Sequence, residues 1–103
     1  MGDLINIQKR ISDERTRRGF VKDPLKIAIL LSEEVGEIAS ELKRLWSKNY
    51  DDFSEERLTE EIADTFVTLA ALANQFDIDI EEAVERKFFG KDANREWKSA
   101  AKQ

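Results

Sequence analysis

At 103 residues the chain has the size of one small domain, and a content of 41% hydrophobic and 38% charged residues fits a helical protein with a heavily charged surface. It contains neither Cys nor His, which removes disulfides, thiolate nucleophiles, the usual zinc ligands and any imidazole base. The net charge of −5 argues against a dedicated nucleic-acid binder, and no apolar run approaches the ~20 residues that span a bilayer.

No stable nucleic-acid complex and no membrane partner are therefore expected. The N-terminus, with Asp3 early and no long apolar core, does not read as a signal peptide, so a cytoplasmic protein is expected.

Along the chain, the pattern predicts an all-α bundle of four to five helices in a single domain, 1–103. The first runs from about Leu4 to Arg18, with Gly19 as its stop. Asp23-Pro24 opens the second, with Asp as N-cap and Pro at the first helical position, and it runs to about Ser47. Ser54 caps a third helix that reaches about Phe76. Asp79 and Glu82 resemble a capping box for a shorter fourth, which Gly90 ends. Lys91 to about Ala101 is expected to form a short terminal helix.

The second helix carries the apolar stripe Leu31, Val35, Ile38, Leu42 and Leu45, and the third carries Leu58, Ile62, Leu69, Leu72 and Phe76. A constant offset superimposes the two stripes, and the same offset lays Glu33, Glu34 and Glu37 on Glu60, Glu61 and Asp64. Two helices joined by a short turn pack antiparallel, so Glu34, Glu37, Glu61 and Asp64 should meet at one height on the edge of the core. Glu33 and Glu60 should point further towards solvent, unless another helix or subunit covers them. No Lys or Arg interleaves these acids. Gathered carboxylates repel by roughly 4 kcal/mol per pair at ~4 Å and an effective dielectric of about 20, so a hard divalent cation is the expected neutraliser. With no His or Cys present, that means magnesium, or manganese in its place.

The stretch Leu31-Ser32-Glu33-Glu34-Val35-Gly36-Glu37-Ile38-Ala39, followed by Glu60-Glu61-Ile62-Ala63-Asp64-Thr65-Phe66, resembles the MazG-type nucleotide pyrophosphohydrolases of the all-α NTP pyrophosphatase superfamily. The resemblance implies that Glu34, Glu37, Glu61 and Asp64 bind Mg2+ and that Glu33 nearby is either an outer-sphere group supporting the ligands or a water-activating base. It implies hydrolysis of a nucleoside triphosphate, (d)NTP, to the monophosphate and pyrophosphate, in a house-cleaning role. It also implies a homo-dimer or homo-tetramer, which the thin core of so short a chain favours independently.

In the C-terminal segment the family carries Lys, Asn and Arg near the phosphates. Lys87, Asn94 and Arg95 match, with Lys91 as an alternative for the first, although Asn94 abuts Arg95 and Gly90 breaks the run. Arg17 and Arg18, at the first loop, are secondary candidates for the same anion. Phe20 and Trp46, with Tyr50 and Trp97, are candidates to stack on a nucleobase, and filling the core or a subunit interface is the alternative for each. Two other readings remain: a phosphoribosyl-ATP-type pyrophosphohydrolase, and a non-catalytic acidic module that binds a basic partner.

Overall fold

A computed structural model describes residues 2–99, which form four α-helices and a closing π-helical turn. Helix α1 (Asp3–Arg18) ends where Gly19 takes a left-handed φ of 76°. There the Gly19 N–H donates to Thr16 O and the Phe20 N–H to Arg15 O, the paired bonds of a Schellman stop. Helix α2 (Pro24–Trp46) begins as its Asp23-Pro24 signal predicts, the Asp23 carboxylate accepting from the Leu25 N–H at 2.9 Å. Helix α3 (Glu55–Asn74) is capped by the Ser54 hydroxyl, which accepts from the Arg57 N–H. Helix α4 (Ile80–Arg86) is capped by Asp79 accepting from the Glu82 N–H.

Beyond α4 the chain departs from the predicted pattern. It widens into a π-helical turn over Lys87–Lys91, in which a Cβ on Gly90 would lie 3.3 Å from the Glu85 carbonyl oxygen. The predicted terminal helix does not form over residues 92–99, and the last positions assigned to it lie outside the described residues. An isolated short helix is marginal in water without a surface to pack on. Trp97, the ring that would anchor it, is 96% exposed.

Helices α2 and α3 form the main hairpin, and α1 packs on α3 and α4. As the residue number falls along α2 from Glu41 through Glu37 to Glu34, the facing residue on α3 rises from Arg57 through Glu61 to Asp64. The pair is therefore antiparallel, as predicted. Gln8, 1% exposed, ties the other side together: its amide donates to Asn74 Oδ1 and Ile78 O and accepts from the Ile80 N–H. That last bond satisfies an N–H at the start of α4 that has no partner within its helix.

The interior is small. The buried apolar residues are Ile27, Ala70, Ala71 and Ala73. Of the predicted stripes, Leu31, Ile38, Leu58 and Leu72 are half-buried, whereas Val35, Leu42, Leu45, Ile62, Leu69 and Phe76 are exposed. One hairpin closes over only one strip of each helix. The radius of gyration of 17.0 Å, against about 13 Å expected of a compact chain this long, reflects the same openness. Among the described residues no helix is long and apolar enough to cross a membrane.

Candidate metal centre and adjoining cavity

On α2 and α3 the antiparallel register brings Glu34, Glu37, Glu61 and Asp64 together, as their matched phase predicts. Glu37 is the hub, its carboxyl within hydrogen-bonding reach of both Glu34 and Glu61. Glu61 is pushed up to about 7, first by its hydrogen bond to Glu37, then by desolvation and by the charges of Glu37, Asp64 and Glu34. Desolvation, followed by Glu37, Asp64 and Glu33, raises Glu34 as well. Among the described residues no Lys or Arg forms an ion pair with any of these acids.

The donor set suits a hard cation, since every side-chain ligand available is a carboxylate oxygen. Among the described residues, however, no three acids already converge as a ready-made cage.

Beside the cluster lies a cavity of about 550 Å³, within the range of small-molecule sites. Glu33, Glu34 and Asp64 line it from α2 and α3, and Ile11, Leu30 and Val67 give it an apolar lining. Glu33 is exposed, as predicted, and also borders this space. The reason is α1, whose packing on α3 encloses that edge.

Helix α1 and its following loop supply Glu14, Arg15, Arg18 and Phe20. Arg15 is fixed, donating to Val21 O at 2.9 Å with its guanidinium 5.1 Å from the centre of the Phe20 ring. Arg18 donates to Glu14 at 2.7 Å and lies 6.0 Å from the same ring. Arg17, which does not line the cavity, also pairs with Glu14. Arg17 and then Arg18 hold the Glu14 carboxyl below its ordinary range.

Sequence reasoning missed Glu14 and Arg15. The available signal was the helical spacing of Ile11, Glu14, Arg15 and Arg18, which puts them near one face.

The other predicted contacts fall elsewhere within one chain. Trp46, at the end of α2, is 79% exposed and does not line the cavity, whereas Phe20 does. Lys87, Lys91, Asn94 and Arg95 lie on the segment after α4, and none of them borders the cavity. Lys87 pairs with Asp92 at 2.6 Å and Arg95 with the same carboxylate at 3.7 Å. Lys87 instead borders an apolar groove with Leu72, Phe76, Ile80 and Phe88.

The chain is 36% identical over 77 residues to the uncharacterized protein YpjD of Bacillus subtilis (strain 168), covering 70% of this chain and 69% of that protein. No solved structure matches. The model of the MazG nucleotide pyrophosphohydrolase domain matches residues 22–96, the span that contains both acidic motifs. An all-helical chain whose two central antiparallel helices carry those motifs, matched by that model over most of its length, belongs to the MazG nucleotide pyrophosphohydrolase domain family.

Proposed function

We propose that the chain is a magnesium-dependent nucleoside triphosphate pyrophosphohydrolase, converting (d)NTP to (d)NMP and pyrophosphate as part of nucleotide-pool house-cleaning in the cytoplasm. The observation that carries this reading is a group of four carboxylates without a cationic partner among the described residues, beside a cavity of about 550 Å³, in a MazG domain. Glu34, Glu37, Glu61 and Asp64 hold Mg2+, with Mn2+ able to replace it. When bound, the ion supplies charge neutralisation at the phosphates and acidifies the attacking water. Glu33, on the same cavity but outside the Glu37 hydrogen-bond hub, accepts the proton from that water. Phe20 stacks on the base. Trp46 joins it only if assembly covers the end of α2.

Lys87, Lys91, Asn94 and Arg95 neutralise the substrate's phosphates from a second copy of the chain. In a single chain they lie off the cavity, while the apolar faces of α2 and α3 remain uncovered. A homo-dimer or homo-tetramer and a single domain follow from this reading.

The test is a panel of NTPs and dNTPs incubated with and without magnesium, with pyrophosphate and orthophosphate measured separately. Magnesium-dependent release of monophosphate and pyrophosphate supports cleavage at the α-phosphorus. Orthophosphate as the product, or no turnover by folded protein across the panel, refutes it.

A further inference from the structure

The arginines at the end of α1 are not equivalent. Arg15 is committed to the loop through Val21 O and the Phe20 ring. Arg18 borders the cavity, and its hydrogen-bond partner is Glu14, itself a cavity residue. Both side chains of that ion pair are about half exposed, at 54% for Arg18 and 43% for Glu14. Such a solvent-screened pair contributes little, so a stronger anion displaces it easily. A polyphosphate is such an anion, because a guanidinium binds phosphate oxygens in bidentate fashion and each phosphate carries more charge than one carboxylate. Releasing Arg18 would not leave Glu14 bare, since Arg17 also holds it.

We propose that Arg18 binds the polyphosphate of a ligand in this cavity, with Glu14 as the counter-ion it releases on binding. The division of labour is electrostatic. Acids on α2 and α3 serve the part of the ligand neutralised by divalent metal, and Arg18 on α1 serves phosphate charge left over. The proposal deepens the hydrolase reading and takes its metal-assisted polyphosphate chemistry from it. Its binding test does not require turnover.

Calorimetric titration of inorganic tripolyphosphate, in magnesium, into the full chain tests the assignment. Arg18→Ala should weaken binding at least tenfold, Arg18→Lys should recover part of the loss, and Glu14→Gln should tighten binding several-fold by freeing the guanidinium. Arg10→Ala removes the same charge from a solvent-facing position of α1 away from the cavity, and should stay within twofold of wild type. Unchanged affinity in Arg18→Ala, equal loss in Arg10→Ala, or no binding by wild type overturns the proposal. Turnover separates the two claims. A wild type that hydrolyses nucleotides with a KM unaffected by Arg18→Ala sinks this proposal alone. Arg18-dependent tripolyphosphate binding with no hydrolysis of any nucleotide sinks the hydrolase reading alone.

Discussion

One α2–α3 interface contains two kinds of carboxylate. Glu41, near the turn, is 4% exposed, yet every demand it makes is met. Arg57 donates to both its oxygens at 2.9 and 3.2 Å, the Ser54 N–H donates at 2.7 Å, and Arg44 lies 3.9 Å away. Arg57 foremost, with the Ser54 N–H, holds its carboxyl below the ordinary range against the opposing effect of burial. One to two helical turns away, Glu34 and Glu61 are raised, and their nearest partners are other acids. On the proposed metal-binding reading, two such environments on one pair of helices separate structural charge from charge kept for a ligand. A carboxylate that stabilises the fold carries its own cation. A carboxylate that waits for a ligand lacks one, and its repulsion lowers the stability of the empty protein.

The largest expected effect would break the acidic side of this contrast. Glu61→Gln removes a ligand from the proposed metal set, so magnesium-dependent nucleotide turnover should fall by at least about 100-fold. The metal-free variant should melt no lower than wild type, because one repelling charge is gone. A fall in both turnover and Tm would mean that Glu61 is structural, as Glu41 is.

Next comes Glu41→Ala, which strands the Arg57 guanidinium and the Ser54 N–H. Thermal melting should drop by several degrees in the presence or absence of magnesium. An unchanged Tm would remove Glu41 from the fold's supports and leave the two kinds of acid indistinguishable.

The pH dependence should carry opposite signs for the two groups. Glu61 is raised to about 7 and Glu34 is raised in the same direction, so above the ordinary carboxyl value near 4.5 the folded chain binds more protons than the unfolded one, through Glu61 up to about 7. Their contribution to stability therefore falls as pH rises through that window. Glu41 is lowered, so its contribution is complete above the unfolded value and is lost as pH falls through the folded one. Melting metal-free protein between pH 5 and 8 should show the first trend, and added magnesium should raise Tm more at pH 8 than at pH 5. An equal magnesium effect at both pH values would count against the cluster as the binding site.

The smallest effect sharpens the boundary of the cluster. Glu60 shares the offset that relates the two motifs, yet it is exposed and does not border the cavity. Glu60→Gln should leave Tm and turnover close to wild type, with a stability change within about 0.5 kcal/mol. A large loss of turnover would extend the proposed site to a fifth acid.

Residue-level legibility was uneven for physical reasons. Gly19, Asp23-Pro24, Ser54 and Asp79 were readable because each acts on backbone groups within a few residues of itself. The meeting of Glu34, Glu37, Glu61 and Asp64 was readable because helical phase and a short turn set their positions. Gln8 and Glu41 were not readable. Gln8 bonds residues more than sixty positions away, and Glu41 takes its cations from the next helix and its own last turns. In sequence both look like ordinary polar positions on amphipathic helices. The terminal helix was over-read because local propensity was taken without asking what would pack on Trp97.

Sequence alone therefore determined the helical class, the stop of α1, the starts of α2, α3 and α4, the antiparallel hairpin and the four gathered acids, all consequences of local backbone chemistry and periodicity. Tertiary structure decided which acids are neutralised and which are not, which arginine borders the cavity, and how little of the apolar stripe one chain buries. Those outcomes depend on burial and on distances between elements far apart in sequence, and the same carboxylate reverses its role according to what packs against it.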